Sequence, residues 1–299
     1  MTLIQELQAA IGTVTGSVGP SVVGIGSRLR GAGVVIGDGL VLTNAHNLRG
    51  HEVTVTFSDG RSERGRVAGA DMDGDLAVIS VGTGSAVPIA WADGAAVGVG
   101  AVVFGAAAIG GGGTRVTVGT VSAVARAFRG PAGRRIAGSI EHTAPLAPGS
   151  SGGPLLDAAG ALIGLNTNRI GEGFYLALPA DEGLRARVDA LARGESARRR
   201  RLGIAIVPSR VARRLRRSVG LPDREGVLVR GVDDDGPAAR AEIREGDLIV
   251  AIGGRAVSDA DDLIDALAAA SIPVTVDLVR GTDDVSVSVT DLDQPSSED

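Results

Sequence analysis

Histidine, aspartate and serine occur along this chain in an order that can carry acyl transfer. His46 closes the apolar segment VLTNAH, Asp75 directly precedes the apolar run LAVI, and Ser151 stands in LAPGSSGGPLLD. A serine hydroxyl is a poor nucleophile until a neighbouring base takes its proton. The chain has no cysteine and no lysine, so its 30 basic residues are all arginines. That excludes thiol nucleophiles, Schiff-base lysines, Ser–Lys dyads, Cys-ligated zinc and Walker phosphate loops. Histidine is the natural base that remains, at positions 46, 51 and 142. GSSGG also fits the G-x-S-x-G nucleophile elbow. That arrangement runs Ser, acid, His, whereas every histidine here precedes Ser151.

The order His, Asp, Ser fits without strain. His46 ends a strand, where a turn can present its side chain. A carboxylate at Asp75 would fix the imidazole tautomer and stabilise the imidazolium formed during acyl transfer. Asp71 and Asp73 are rivals for this role, but only Asp75 adjoins the strand that could bury it. Ser150 reads as the turn neighbour of the nucleophile, and His51 and His142 as surface or structural histidines. The spacing of His46 and His51 matches no familiar zinc motif. No metal or cofactor is expected.

These residues need a scaffold, and the first 183 residues supply strand signals for one. SVVGIGSRL, GAGVVIGDGLVLT, HEVTVTFSDG, RSERGRVAGAD and DLAVISV are apolar or alternating runs broken by Gly, Asp and Ser. A second group follows: AVVFGAAAI, RVTVGTVSAVARA, RIAGSIEHTA, GPLLDAAGALIGLNT and GFYLALPA. The pattern predicts an all-β sandwich or pair of barrels, with an amphipathic helix over residues 1–14 leading in. Residues 184–201, polar and ending in an arginine run, read as a linker or connecting helix. From Leu202 a compact α/β pattern begins and runs to Leu292, and residues 293–299 read as an acidic tail.

The segments GPSVVGI, GAGVVI, GLVLTNAH, DGDLAVI, VTVGTVSAV, PGSSGGPLL and GLNTN resemble, in order, the chymotrypsin-type serine proteases of the HtrA family. The resemblance implies two six-stranded β-barrels, spanning roughly 15–90 and 95–183, with the active site in the cleft between them. It implies His46 as general base, Asp75 as its orienting acid and Ser151 as nucleophile. The backbone N–H groups of Gly149 and Ser151 would form the oxyanion hole, each donor contributing about 3 kcal/mol to transition-state stabilisation. Three departures stand out: Asn47 where an apolar residue is usual, Thr143 where Asp is common, and Ala147 where Asn is common. In enzymes that cut after Lys or Arg, an Asp lies six residues before the nucleophile. Here that position is Pro145, so a modest apolar pocket for Val, Ala, Ile or Leu is expected. Its walls are expected from Pro145, from Leu165, Asn166, Thr167 and Asn168, and from the strand near Gly173 to Leu176.

Residues 202–292 resemble a bacterial-protease PDZ domain, through LGIAI and GVLVRGVDDDGPAARAEIREGDLIVAIGGRAV. Such a domain takes up a peptide C-terminus as an added β-strand. Leu202, Gly203 and Ile204 would hold the carboxylate, and Ile204, Ile206, Leu263 and Leu267 would wall the apolar pocket. The resemblance thus implies an endopeptidase for unfolded or damaged proteins whose PDZ domain recruits or regulates. A catalytically idle peptide-binding chaperone or scaffold is the alternative. The family also implies a homotrimer, although Met1 to Val23 lacks the aromatics that commonly build one. The arginines at 198–201, 210, 213, 214, 216 and 217 read as a solvated face rather than a nucleic-acid site. They have no interleaved aromatics, and the chain is net acidic at -5. The charge-free window Gly94 to Gly113 is too glycine-rich for a membrane span. The N-terminus shows no signal peptide, so a cytoplasmic protein is expected, or an extracytoplasmic one if the chain is a piece of a longer protein.

Overall fold

The computed structural model describes residues 2–27, 29–92, 97–131, 133–195 and 200–292. The expected acidic tail, residues 196–199 of the expected linker, and Arg198 and Arg199 of the arginine cluster lie outside the described residues. The chain divides into two compact units, Met1–Ala197 and Arg198–Asp299.

The first unit opens with α1 (Leu3–Val18), whose N-terminus carries a capping box between Thr2 and Gln5. Six strands follow: β1 (Val22–Ile25), β2 (Gly31–Gly37), β3 (Leu40–Thr43), β4 (Glu52–Thr56), β5 (Ser62–Asp71) and β6 (Leu76–Ser80). They close into a barrel in the order β1-β2-β3-β6-β5-β4. A second barrel is built from β7 (Val102–Ala108), β8 (Thr114–Arg129), β9 (Arg135–His142), β10 (Pro154–Leu156), β11 (Leu162–Arg169) and β12 (Tyr175–Pro179). Its order is β10-β11-β12-β9-β8-β7.

Successive strand residues point to opposite faces, and here both faces are apolar. Val23, Val35, Val41 and Ile79 join a cluster confined to the first barrel. Their neighbours Val22, Val34, Leu42 and Val78 join a cluster shared with Phe104, Leu156, Leu162 and Leu178 of the second barrel. The common core fixes one barrel against the other, and each fully buried Val or Leu contributes about 1.5–3 kcal/mol.

After β12 the chain forms α2 (Glu182–Ala192), capped by Asp181, whose side chain accepts the Leu184 N–H at 2.7 Å. Leu184, Val188 and Leu191, at helical spacing, are buried in the shared core. The first part of the expected linker is therefore a packed element of the first unit. Helical periodicity with three apolar anchors outweighs its polar composition.

The second unit contains β13 (Ile204–Val207), α3 (Ser209–Ser218), β14 (Val227–Val232), α4 (Pro237–Arg240), β15 (Leu248–Ile252), β16 (Arg255–Ala256), α5 (Ala260–Ala269), β17 (Val274–Arg280) and β18 (Asp283–Val289). The sheet runs β13-β14-β15-β17-β18, with β16 paired to β15, so β13 is an edge strand. Asp247, nearly fully buried, takes both Nε and Nη2 of Arg280, at 2.9 and 2.8 Å. Of the arginines expected to be solvated, Arg216 is instead only 3% exposed. It donates to the carbonyls of Pro222 and Gly281.

Candidate active site and peptide groove

His46 lies in a 3₁₀ turn (Ala45–Asn47) that breaks away from the end of β3. Asp75 closes the turn between β5 and β6. Asp75 has φ 55, a left-handed conformation that Asp tolerates better than most side chains, and its residue is 1% exposed. Both its carboxylate oxygens lie 2.9 Å from His46 Nδ1. The carboxylate also accepts the His46 backbone N–H at 3.1 Å and the Thr167 hydroxyl at 2.7 Å. Asn44 secures the same residue from behind, donating to the Asp75 carbonyl at 2.9 Å.

An ionised carboxylate can only accept, so Nδ1 of His46 must carry the proton. The Nε2 lone pair is left without a hydrogen-bond partner among the described residues, on a side chain that is 29% exposed. This is the tautomer a general base needs. The rival Asp71 serves the backbone instead. Its Oδ1 accepts the N–H groups of Asp73 and Gly74 and shapes the turn.

Ser151 is bracketed by Gly149 and Gly152, with φ 84 and 87. Both occupy the left-handed region that favours glycine. Gly152 N–H donates to the Asn166 carbonyl at 2.7 Å, and Ser150 N–H to that of Ala147 at 3.2 Å. Among the described residues, the N–H groups of Gly149 and Ser151 have no protein acceptor. The Ser151 hydroxyl donates to the Thr167 carbonyl at 2.8 Å rather than to His46. Ser150 is buried, as a turn neighbour would be.

Beside Ser151 lies a pocket of about 150 Å³, bounded by Leu146 to Ser151, Asn166 to Arg169, and Tyr175. Of the residues named for the substrate pocket, Asn166, Thr167 and Asn168 border this cavity. Pro145 and Leu165 do not: Pro145 is exposed, and Leu165 is 1% exposed within the shared core. Most of β11 is buried on both faces, so no polar–apolar alternation in the sequence could show which residues turn to the pocket. Among the described residues, no acidic side chain lines the pocket. Beneath it, His142 is fully buried and stacks on Tyr175 with ring centroids 5.8 Å apart. Its Nε2 bonds Asn166 Oδ1 at 3.0 Å, and its Nδ1 has no partner among the described residues. Burial lowers the His142 pKa to about 4, with the Asn166 bond opposing. His51 is exposed.

In the second unit, Leu202 and Gly203 precede β13, and their carbonyls accept the N–H groups of Ala238 and Asp233. Their own N–H groups have no protein acceptor among the described residues. Leu202, Leu263 and Leu267 are buried in one cluster, against which Ile204 and Ile206 pack. The structure thus brings β13 and α5 into one apolar cluster, and among the described residues the outer edge of β13 is unpaired.

Two closed barrels with a buried aspartate, a half-buried histidine and a serine in a glycine-flanked turn have the architecture of a trypsin-like serine peptidase. Residues 31–165 match the trypsin-like peptidase domain family, and residues 201–290 match the PDZ domain family. The putative serine protease HhoA of Synechocystis is 35% identical over 280 residues, covering 87% of this chain and 70% of that protein. A DegP-like periplasmic serine endoprotease of Halomonas elongata is 32% identical, covering 91% of this chain and 58% of that protein. Among solved structures, the HtrA-type protease AlgW with a decapeptide superposes with a TM-score of 0.77 at 25% identity, over 96% of this chain and 99% of that one. The chain belongs to the HtrA/DegP family of serine endoproteases.

Proposed function

We propose that the chain is an endopeptidase in which Ser151 attacks the substrate carbonyl, His46 Nε2 takes the serine proton, and Asp75 stabilises the resulting imidazolium. Negative charge on the carbonyl oxygen is received by the N–H groups of Gly149 and Ser151. His46 then returns the proton to the leaving amine, and water repeats the sequence to release the acyl group. The observation that carries this reading is the His46–Asp75 pair, with Nδ1 held by two carboxylate oxygens and Nε2 without a partner among the described residues. The two unpartnered N–H groups beside Ser151 support the oxyanion site.

Unfolded polypeptides are the proposed substrates, with a small apolar residue before the scissile bond. The pocket's lack of any acidic wall supports that preference. The PDZ unit is proposed to bind peptide C-termini along β13, for recruitment or regulation, and the decapeptide in the AlgW structure supports a peptide as the ligand class. Casein digestion by the wild type, side by side with Ser151→Ala, tests the reading. The variant is expected to lose about a millionfold in turnover.

One observation favours a second reading, a proteolytically idle peptide-binding scaffold. The Ser151 hydroxyl rests on the Thr167 carbonyl. Equal, negligible digestion by wild type and variant, even with a PDZ-binding peptide added, would select it.

A further inference from the structure

Asn47 follows His46 directly and is 2% exposed, in a place where an amide needs partners. One amide group serves two acceptors. Nδ2 donates to the Ser151 carbonyl at 2.9 Å and to Thr43 Oγ1 at 3.0 Å. The Thr43 hydroxyl in turn donates to the Ala32 carbonyl at 2.6 Å. The Ala32 N–H donates to the same Ser151 carbonyl at 2.8 Å. Asn47, Thr43, Ala32 and Ser151 thereby close a ring of four hydrogen bonds. It joins the turn that carries His46 to the residue that carries the hydroxyl.

The surroundings are cut to this amide. A Cβ at Gly31 would fall within the Asn47 carboxamide, and one at Gly152 would approach Asn47 Nδ2 at 3.0 Å and Thr43 Oγ1 at 2.5 Å. Asn47 Oδ1 is buried without a partner among the described residues. A buried, unsatisfied acceptor is destabilising, and an apolar side chain would avoid that cost. What the asparagine supplies in return is two amide protons, both committed between the two halves of the site.

We propose that Asn47 is a positioning residue: its amide holds the Ser151 backbone at a fixed separation from His46, and so sets the rate of nucleophilic attack rather than substrate affinity. This inference rests on the serine-hydrolase reading above. The test is labelling of the full chain by a fluorophosphonate, which forms a phosphorus–oxygen bond to an activated serine and releases fluoride. The limiting labelling rate and the half-saturating concentration are measured separately, alongside thermal melting. Asn47→Asp keeps the shape and removes the donors; Asn47→Val removes both polar functions.

For both variants the limiting rate is expected to fall about ten- to a hundredfold, the scale of a small misplacement of reacting groups. The half-saturating concentration should stay within about twofold, because no contact to the reagent is lost. A limiting rate equal to wild type in a folded variant overturns the proposal. A loss that only follows the unfolded fraction overturns it as well, since a merely structural role does that. If one variant does not fold, the other carries the same reading. Failure of the wild type to label at all, with Ser151→Ala as reference, overturns the hydrolase reading and this inference with it. Failure confined to the Asn47 comparison overturns this inference alone.

Discussion

At the scale of single residues, the site combines parts that the sequence displays with parts that only folding reveals. His46, Asp75 and Ser151 are legible because their order and flanking runs are specific. Thr167 is different. It reads as a pocket residue, and it does line the pocket, but its hydroxyl also donates to Asp75 across 92 positions of sequence. Nothing local announces that bond. Asn47 reads as a departure from pattern, and its partner Ser151 lies 104 positions away.

His142 gives a prediction at this scale. Its pKa falls from 6.5 to about 4 on folding because burial disfavours the charged ring. Between those values the unfolded chain binds more protons than the folded one, so stability decreases as pH falls. The contribution is complete above pH 6.5 and lost progressively down to about 4. It is worth roughly 3 kcal/mol in all. Urea unfolding across that range should show this slope, and His142→Gln should flatten it. An unchanged slope in the variant would assign the pH dependence to other groups.

At the scale of elements, strand signals survive in the sequence because most barrel strands are short apolar runs between turn residues. The division between packed helix and linker is less legible. Residues 184–192 mix alanines with the charged Arg185, Arg187 and Asp189, and Leu184, Val188 and Leu191 form the buried stripe. The depth of that packing depends on β5, where Gly69 admits the helix backbone. A Cβ there would lie 2.5 Å from the Leu191 carbonyl oxygen and 2.9 Å from its Cα. Gly69→Ala is therefore expected to displace the end of α2 and to destabilise the first unit by about 1–3 kcal/mol, the usual cost of overpacking. A denaturant melt read by the fluorescence of Trp91, which Arg185 of α2 overlies at 4.8 Å, measures this. An unchanged midpoint would show that α2 shifts without cost.

At the scale of the whole molecule, two units of unlike architecture share one chain. The first is stabilised by a core between two closed barrels, which have no free strand edges. The second is an open sheet. Its outermost strand, β13, has paired backbone groups on the side facing β14 and, among the described residues, unpaired ones on the other. The register against β14 shifts between Ala205 and Ile206. An edge strand also turns part of its backbone away from its neighbour, so only some of the amide protons between Ile204 and Val207 are held by the sheet. The remainder exchange with solvent on a timescale set by water rather than by unfolding. A C-terminal peptide added along this edge would lock them. Deuterium uptake at the amides of β13 that face away from β14 should then slow while those bonded to β14 stay unchanged. That one-sided slowing reports strand addition without any proteolysis, and uniform slowing across the segment would point to general tightening instead.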